Sequence, residues 1–408
     1  MGFFRKEQIK AATKTKRRQC GSCGLWKRCN SPKMNVCGEG NKKVLILAES
    51  PSQAEDRKGE QLIGKAGILL KRKLKKYSID IEQDCWKMNS VLCRVTDKDG
   101  KAKKPSDNEI EWCRPSVIKE LKQKQPNVIV LLGSTAIKSF LGDRWKKDLG
   151  GIDKWRGWAI PDKDYRAWVV PIFHPSYVLK FSDKNPVIET IYNNDIKNLY
   201  TYIDKPFPDF PDADSCCEVL YEKDQIESYL EEILKYKSTF AFDYETTGLK
   251  PHAKGHKIAC VGMCWQKNRA YSWDWKLTPI KLYREIMEDS SIRKIAANMK
   301  MEDHWTSARA RRIKVNGWLW DTMNAAHIQD QRKGITSLKF DVYKRYGVVD
   351  YDSSINHYLQ SDSKEFGANG FNRVFEAPQD ELRLYCAKDA FYTYHLACDQ
   401  MEEIGIKI

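Results

Sequence analysis

Short apolar runs rich in β-branched residues recur along the chain between stretches with helical periodicity. The clearest of them span residues 42–50, 127–134, 167–174 and 238–246. Runs of this length, separated by amphipathic segments, predict strands of parallel or mixed sheets that are covered by helices. The pattern therefore predicts an α/β fold in both halves of the chain.

A segment of different composition separates the two halves. Residues 204–215 contain three prolines and several acidic residues with little apolar periodicity, which is typical of an extended connector. We therefore predict a basic arm at residues 1–16, a first domain at 17–203, this connector, and a second domain at 216–408.

Charge and composition narrow the classes of function. The 408 residues carry a formal net charge of +15, and such an excess attracts polyanions, so nucleic acid is the expected partner. No signal peptide is recognisable, and no apolar run approaches the roughly 18 to 20 residues of a membrane span. We expect a soluble, cytoplasmic protein without membrane contact. In such a reducing compartment, clusters among the 13 cysteines predict metal or iron–sulfur ligands.

Two acidic motifs in the second half indicate phosphodiester chemistry. Asp243 and Glu245 are two residues apart at the end of an apolar strand, so both carboxylates point to one face. Tyr385 and Asp389 are four residues apart in a helical segment and share a helix face. Clustered carboxylates hold hard divalent ions, and two such ions activate a water and stabilise the leaving 3′-oxygen.

A third motif, AANMKMEDHW, lies between these two and supplies Glu302 and Asp303. In this order the three motifs resemble those of the proofreading exonuclease domain of family A DNA polymerases, of the type with a tyrosine in the third motif. That family's second motif reads Asn-x-Lys-aromatic-Asp, whereas the corresponding positions here end in Met301 and Glu302. Spacing favours Glu302 as the metal-binding carboxylate, and Asp303 stays open as the alternative.

The resemblance implies an RNase H-like fold with a mixed sheet and a 3′-5′ exonuclease acting on single-stranded 3′ ends and primer-templates. It implies that Tyr385 orients the attacking water. Two Mg²⁺ or Mn²⁺ ions would be held by Asp243, Glu245, Asp389 and the second-motif carboxylate. No palm or fingers motif of a polymerase is present, so we expect either a separate family A polymerase as partner or a fragment of a longer polymerase.

The first half contains another ordered series of motifs. They are CGSC, GEGN at 38–41, VLILAESPSQAED, GEQLIGKAG at 59–67, MNSVLCR at 88–94, LLGSTAIKSFLG at 131–142 and HPSYVLK at 174–180. Together they resemble the family 4 uracil-DNA glycosylases, which carry an iron–sulfur cluster. The resemblance implies an αβα sandwich around a parallel sheet.

The same resemblance implies roles for particular side chains. Asn89 would read the edge of the uracil, His174 would donate to the departing base, and Glu49 would position or polarise the water. Ser50 and Leu62 would lie against the base.

Two departures from the family's motifs affect this pocket. The family's Gly-Glu-Ala-Pro-Gly is AESPS here, which crowds a backbone that approaches the base closely. Its Pro-Phe-Val-Gly is QLIG, so an aromatic stacking platform becomes an aliphatic wall. The half is expected to be a slower glycosylase, one tuned to a modified pyrimidine, or an inactive module that binds DNA or tethers a polymerase.

The cysteines allow two assignments. By resemblance, a [4Fe-4S] cluster would be held by Cys20, Cys23, Cys93 and Cys113. A compact zinc site would instead use Cys20, Cys23, Cys29 and Cys37. We favour the iron–sulfur set, because zinc would leave two cysteines unexplained at family positions. The combined expectation is a phage-type DNA replication and repair protein.

Overall fold

The computed structural model describes residues 20–145, 148–210, 212–349, 351–361, 367 and 370–406. They form two compact units that divide after Phe207, inside the segment predicted to be a connector. The predicted basic arm, residues 1–16, lies outside the described residues.

The first unit contains a five-stranded sheet in the order β2-β1-β3-β5-β4. Its strands are β1 (Val44–Ala48), β2 (Cys85–Asn89), β3 (Val128–Leu132), β4 (Ile160–Asp162) and β5 (Ala167–Ile172). β2, β1, β3 and β5 are parallel, and β4 is an antiparallel edge strand. Strands buried on both faces read as continuous apolar runs, which is why the pattern identified three of them.

Helices cover this sheet. They are α1 (Gln53–Lys58), α2 (Lys65–Lys75), α3 (Asp107–Lys124), α4 (Gly133–Leu141), α5 (Ile152–Trp155), α6 (Pro175–Phe181) and α7 (Val187–Ile203). One face of the sheet packs Ile46 and Val130 with Leu70 of α2 and Tyr192 of α7. Capping boxes at Ser52 and Ser106 fix the starts of α1 and α3 by satisfying free backbone N–H groups.

The second unit contains a six-stranded mixed sheet in the order β11-β10-β7-β8-β9-β6. Its strands are β6 (Cys217–Val219), β7 (Phe240–Thr246), β8 (Ile258–Gln266), β9 (Arg269–Asp274), β10 (Lys294–Ala296) and β11 (Trp318–Asp321). β7, β8 and β9 form an antiparallel meander, while β10 runs parallel to both β7 and β11. The prediction of a mixed sheet is confirmed.

The helices of the second unit are α8 (Ala213–Cys216), α9 (Lys223–Tyr236), α10 (Ile280–Glu288), α11 (Met299–Arg309), α12 (Thr322–Gln329), α13 (Leu338–Tyr346), α14 (Asn356–Leu359) and α15 (Gln379–Glu403). The long helix α15 packs across β7, β8 and β9. Over the described part of the chain, no helix is both long and apolar enough to cross a membrane.

Candidate active sites

An acidic cluster lies where β7 meets α15. Asp243 and Glu245 come from β7 and Asp389 from α15, and each offers a carboxylate oxygen within 4.8 Å of the other two. The two strand carboxylates alternate with the buried Tyr244, so they share one face of the sheet. The structure therefore brings together three of the four carboxylates predicted to bind metal.

A glycine lets the helix approach the strand. Gly262 of β8 is the register partner of Asp243. A Cβ atom at Gly262 would lie 2.3 Å from the carbonyl oxygen of Cys386, so α15 packs directly on the backbone of β8. Asp389 stands three residues further along the same helix. The missing side chain at position 262 thus sets the distance between Asp389 and the strand carboxylates.

Burial and mutual repulsion define the electrostatics of the cluster. Burial raises the pKa of Asp243, and the charge of Asp389 raises it further. The pKa of Glu245 is raised in the same way, by burial and then by Asp243. Burial also raises the pKa of Asp389, against the opposing charge of Lys339. Three crowded carboxylates that resist ionisation are a fitting donor set for a hard divalent cation.

Glu302 faces the same region from α11. Its side chain is buried, and Oε2 has no hydrogen-bond partner within the described ranges. Burial raises its pKa, followed by the charges of Asp243 and Asp389. It lies outside the 4.8 Å group. Asp303, the next residue, is only partly buried.

Asp321 fixes the beginning of α11. Its carboxylate accepts hydrogen bonds from the backbone N–H groups of Asn298 at 3.1 Å and Met299 at 3.0 Å. It also caps α12 through the N–H of Met323 at 3.0 Å. One carboxylate therefore anchors two helix starts, and this contact orients the helix that carries Glu302.

Two further side chains at the cluster were missed in the sequence. Tyr351 donates a hydrogen bond from its hydroxyl to Asp389 Oδ1 at 2.6 Å, and its ring stacks on Tyr385 with centroids 5.9 Å apart. Lys339 lies with Nζ 5.1 Å from the centre of the Tyr385 ring and forms an ion pair with Asp352. Lys339 belongs to α13 and Tyr351 to the segment after it, and neither residue stands in one of the three acidic motifs.

Two predicted catalytic residues and a predicted base-binding residue of the first unit lie at one edge of its sheet. Glu49 directly follows β1, Asn89 ends β2, and His174 lies just beyond β5. Because these strands are parallel, their carboxyl ends meet at the same edge, where ligands of open α/β sheets bind. Glu49 accepts a hydrogen bond from Thr135 Oγ1 at 2.7 Å.

Asn89 and His174 have the properties of donors aimed at a ligand. Asn89 is buried, and its Nδ2 has no partner in the part of the chain that the structure describes. The backbone N–H of Ser176 donates to Nδ1 of His174 at 3.2 Å, which leaves the proton of a neutral imidazole on Nε2. Burial lowers the pKa of His174, against the opposing charge of Glu49. The neutral ring is thus a hydrogen-bond donor through Nε2.

The QLIG segment is held tightly. Leu62 is buried and has a left-handed backbone with φ of 57°. Gln61 is fully buried, where it accepts from Cys37 Sγ at 2.6 Å and donates to the carbonyl of Asn35 at 2.5 Å. Ser50 lies two residues beyond β1 and is partly buried. The changed motif is therefore an anchored aliphatic wall.

The cysteines predicted as metal ligands have different surroundings. A cavity of about 210 Å³ is lined by all four cysteines of the predicted iron–sulfur set, Cys20, Cys23, Cys93 and Cys113. Cys37 is instead bonded to Gln61, while Cys29 lies against Cys93. Among the described residues no three of these sulfurs lie within 4.8 Å of one another. Zinc–sulfur bonds near 2.3 Å would require closer sulfurs, so this arrangement fits a larger cluster.

Two protein families match consecutive segments of the chain. The Uracil DNA glycosylase superfamily matches residues 34–197, and a 3′-5′ exonuclease family matches residues 217–404. The type-4 uracil-DNA glycosylase of Saccharolobus solfataricus is 30% identical over 189 residues, which are 45% of this chain and 81% of the relative.

A longer relative and a solved structure are also similar to this chain. The DNA polymerase of Bacillus phage SP01 is 25% identical over 394 residues, which cover 88% of this chain and 40% of the polymerase. The crystal structure of Trypanosoma brucei RNase D bound to GMP is 16% identical, with a TM-score of 0.35, and the alignment covers 45% of this chain and 56% of that one.

Proposed function

The chain belongs to the uracil-DNA glycosylase superfamily in its first half and to the 3′-5′ exonuclease family in its second, and we propose that it is a phage-type replication and repair enzyme that trims DNA 3′ ends and inspects bases for uracil. The acidic cluster of Asp243, Glu245 and Asp389 carries the proposal for the second half. DNA is the proposed partner, in the cytoplasm of the host cell.

The side chains of the exonuclease site have two proposed roles, metal binding and orientation of the attacking water. Asp243, Glu245 and Asp389, with Glu302, would hold two Mg²⁺ or Mn²⁺ ions, which supply an activated water and a charge partner for the leaving 3′-oxygen. Tyr385 stacks on Tyr351 beside Asp389, where its hydroxyl can orient the attacking water. Burial raises the pKa of this phenol, followed by the charge of Asp389, so the hydroxyl keeps its proton and acts as a donor.

The test of the exonuclease is degradation of a 3′-labelled single strand in Mg²⁺ and in Mn²⁺. Asp243→Ala should abolish release of the label, and chelation should abolish it in the wild-type protein. Degradation that survives in Asp243→Ala, at the same rate and after the same purification, would refute the assignment of the metal site.

For the first half we propose uracil excision without a metal-ion requirement. Extrusion of a base places its edge against the unpartnered Nδ2 of Asn89, and the departing base becomes an anion. The Nε2 proton of neutral His174 would stabilise that anion. Glu49, held by Thr135, would position the water that attacks the sugar carbon.

A chelator distinguishes uracil excision from the exonuclease, because only the exonuclease is proposed to need divalent metal ions. The protein is incubated in EDTA with an oligonucleotide that contains one uracil, and alkali then cleaves any abasic site. Cleavage at the uracil, lost in His174→Ala, supports excision. Intact DNA with binding retained contradicts it.

The anchored aliphatic wall supports a second candidate for this half. An aliphatic side chain at Leu62 packs on a base with less specific geometry than an aromatic ring, so the unit is alternatively an inactive DNA-binding or polymerase-tethering module that raises processivity. Intact uracil-containing DNA, together with longer primer-extension products when the protein is added to a polymerase, would establish this candidate.

The four cysteines that line the 210 Å³ cavity support a structural [4Fe-4S] cluster, with zinc as the alternative metal. A bound cluster would tie the N-terminal segment to the base-binding unit, because Cys20 and Cys23 precede the sheet while Cys93 and Cys113 lie within the unit. Iron and acid-labile sulfide in anaerobically purified protein would support the cluster. Zinc in stoichiometric amount would overturn it.

We propose a separate family A polymerase as the partner in replication. The charge of the chain and its two DNA-directed units support a role at the primer terminus. The relative from phage SP01 joins both homologous regions to a longer polypeptide, so the same pairing within one chain is the alternative. Mass measurement of the native protein distinguishes them. A polypeptide near 47.4 kDa supports the separate partner, and a much longer one contradicts it.

A further inference from the structure

A second polar pocket of the first unit lies at the edge of the sheet opposite Glu49 and Asn89. Its volume is about 590 Å³. Three of its lining residues directly precede strands that run parallel: Lys43 before β1, Asn127 before β3 and Arg166 before β5. Strands of five residues at about 3.3 Å each place the two edges about 16 Å apart. The pocket is therefore separate from the base-binding edge.

The pocket concentrates positive charge. Lys42, Lys43, Arg166 and Lys205 line it, and Asp204 is the carboxylate among its described lining residues. None of these four cations forms an ion pair with the rest of the described chain. A concave surface with cations that lack carboxylate partners raises the local concentration of anions.

Aromatic rings hold two of the cations in place. The guanidinium of Arg166 lies 5.4 Å from the centre of the Phe207 ring. The ammonium of Lys205 lies 5.3 Å from the centre of the Trp168 ring, whose Nε1 donates to the Lys205 carbonyl at 3.1 Å. Cation–π contacts leave the N–H donors free while restricting the side chains. Both cations are thus partly organised before a ligand binds.

We propose that this pocket binds the phosphodiester backbone of single-stranded DNA, at a site additional to the two proposed active sites. The cations come from three separate segments of the chain around a cavity larger than one phosphate requires, which favours consecutive phosphates. The amides of Asn41 and Asn127 add uncharged donors. At about 3.4 Å per nucleotide, roughly five nucleotides would bridge the 16 Å between the edges.

The test measures binding of a fluorescein-labelled, uracil-free dT20 strand in EDTA by anisotropy between 50 and 200 mM salt. The variant Lys42→Gln/Arg166→Gln/Lys205→Gln removes three cations of the pocket. The matched control, Lys101→Gln/Lys119→Gln/Lys122→Gln, removes three exposed lysines of the same unit that do not line it. On a single strand, each phosphate contact contributes about 0.7 to the steepness of log K against log salt. Loss of three phosphate contacts should therefore make this slope less steep by about 2.

The pocket variant should bind dT20 at least about 10-fold more weakly at low salt, and the control should bind like wild type. Both variants should still degrade a trinucleotide in Mg²⁺ at the wild-type rate. A lower rate would show damage to the exonuclease site, which is thereby distinguished from a loss of binding at the pocket. An unchanged salt slope, or an equal loss in the control, overturns the proposal. Displacement of dT20 by dTMP as effective as displacement by unlabelled dT20 would also overturn it, because that result identifies a mononucleotide site.

Discussion

The hydroxyl of Tyr351 donates a hydrogen bond of 2.6 Å to Asp389 Oδ1. This bond connects a carboxylate of the acidic cluster to a residue that lies outside all three sequence motifs. The bond occupies one lone pair of Oδ1 and fixes the plane of the carboxylate. Outer contacts of this kind orient metal ligands and tune their affinity. Tyr351 also stacks on Tyr385, so one residue supports both functional side chains of α15.

Tyr351→Phe keeps the ring and removes the hydrogen bond. A hydrogen bond to a charged group contributes about 1.5–3 kcal/mol, so kcat/KM for 3′-end hydrolysis should fall about 10- to 100-fold, with a higher Mg²⁺ requirement. Tyr358→Phe is the control, because it removes the same hydroxyl group from a ring that packs on His357 and on the guanidinium of Arg373. Equal rates for Tyr351→Phe and wild type across a Mg²⁺ titration would show that the bond does not position Asp389.

The adjacent carboxylates of α11 provide a matched pair of variants. Glu302 is buried at the cluster while Asp303 is partly exposed. Glu302→Gln should therefore lower kcat/KM by more than about 100-fold, beyond the effect expected from losing an outer contact, and Asp303→Asn should stay within about 3-fold of wild type. Steady-state rates on one labelled strand measure both. The reverse order would assign the second-motif ligand to Asp303.

Burial and charge repulsion in the acidic cluster predict that the stability of the metal-free protein depends on pH. The pKa of Asp243 is raised by burial and by Asp389, so the unfolded chain loses this proton at lower pH than the folded chain. Stability in EDTA should therefore fall as the pH rises above the ordinary value of about 4. Asp243→Asn removes one charge and should raise the Tm at pH 8 by roughly 2–4 °C, about 1 kcal/mol for a unit of this size.

Thermal unfolding in EDTA at pH 5 and pH 8 checks this sign. The gap between Asp243→Asn and wild type should be larger at pH 8, and Mg²⁺ should stabilise wild type more than the variant. A variant that is less stable than wild type at pH 8 would show that the carboxylate contributes contacts which outweigh the repulsion.

The sequence was sufficient for features that follow from local pattern. The α/β class, the runs that became β1, β3, β5 and β7, and the shared face of Asp243 and Glu245 all depend on short-range periodicity. Tyr351 and Lys339 were not predictable, because they reach the cluster through the packing of α13 and the following segment. Cys29 illustrates the same limit. Its spacing allows the alternative zinc set with Cys37, whereas in the fold Cys29 lies against Cys93 and Cys37 donates to Gln61.

Gly262 gives a prediction about distance within the cluster. A methyl group there would overlap the carbonyl of Cys386, so Gly262→Ala should displace α15 and carry Asp389 away from Asp243. Overpacking of this kind costs about 1–3 kcal/mol, and hydrolysis should fall even at temperatures where the variant is folded. Gly151→Ala is the control, because its Cβ would meet only Ser134 Oγ, at 3.7 Å. Wild-type activity in folded Gly262→Ala would contradict the role of this contact.

Two cysteines separate the iron–sulfur and zinc assignments. Cys93 lines the cavity with three other thiols, whereas Cys37 donates to Gln61 away from it. If an iron–sulfur cluster occupies the cavity, Cys93→Ser should lose most of the bound iron and the visible absorption, because one of four thiolate ligands is removed. Cys37→Ser should keep both, because Cys37 does not line the cavity and a serine hydroxyl still supplies a donor for Gln61. Iron analysis and spectra of both variants, purified anaerobically, measure the difference. Loss of metal from Cys37→Ser with retention in Cys93→Ser would instead support the compact zinc site.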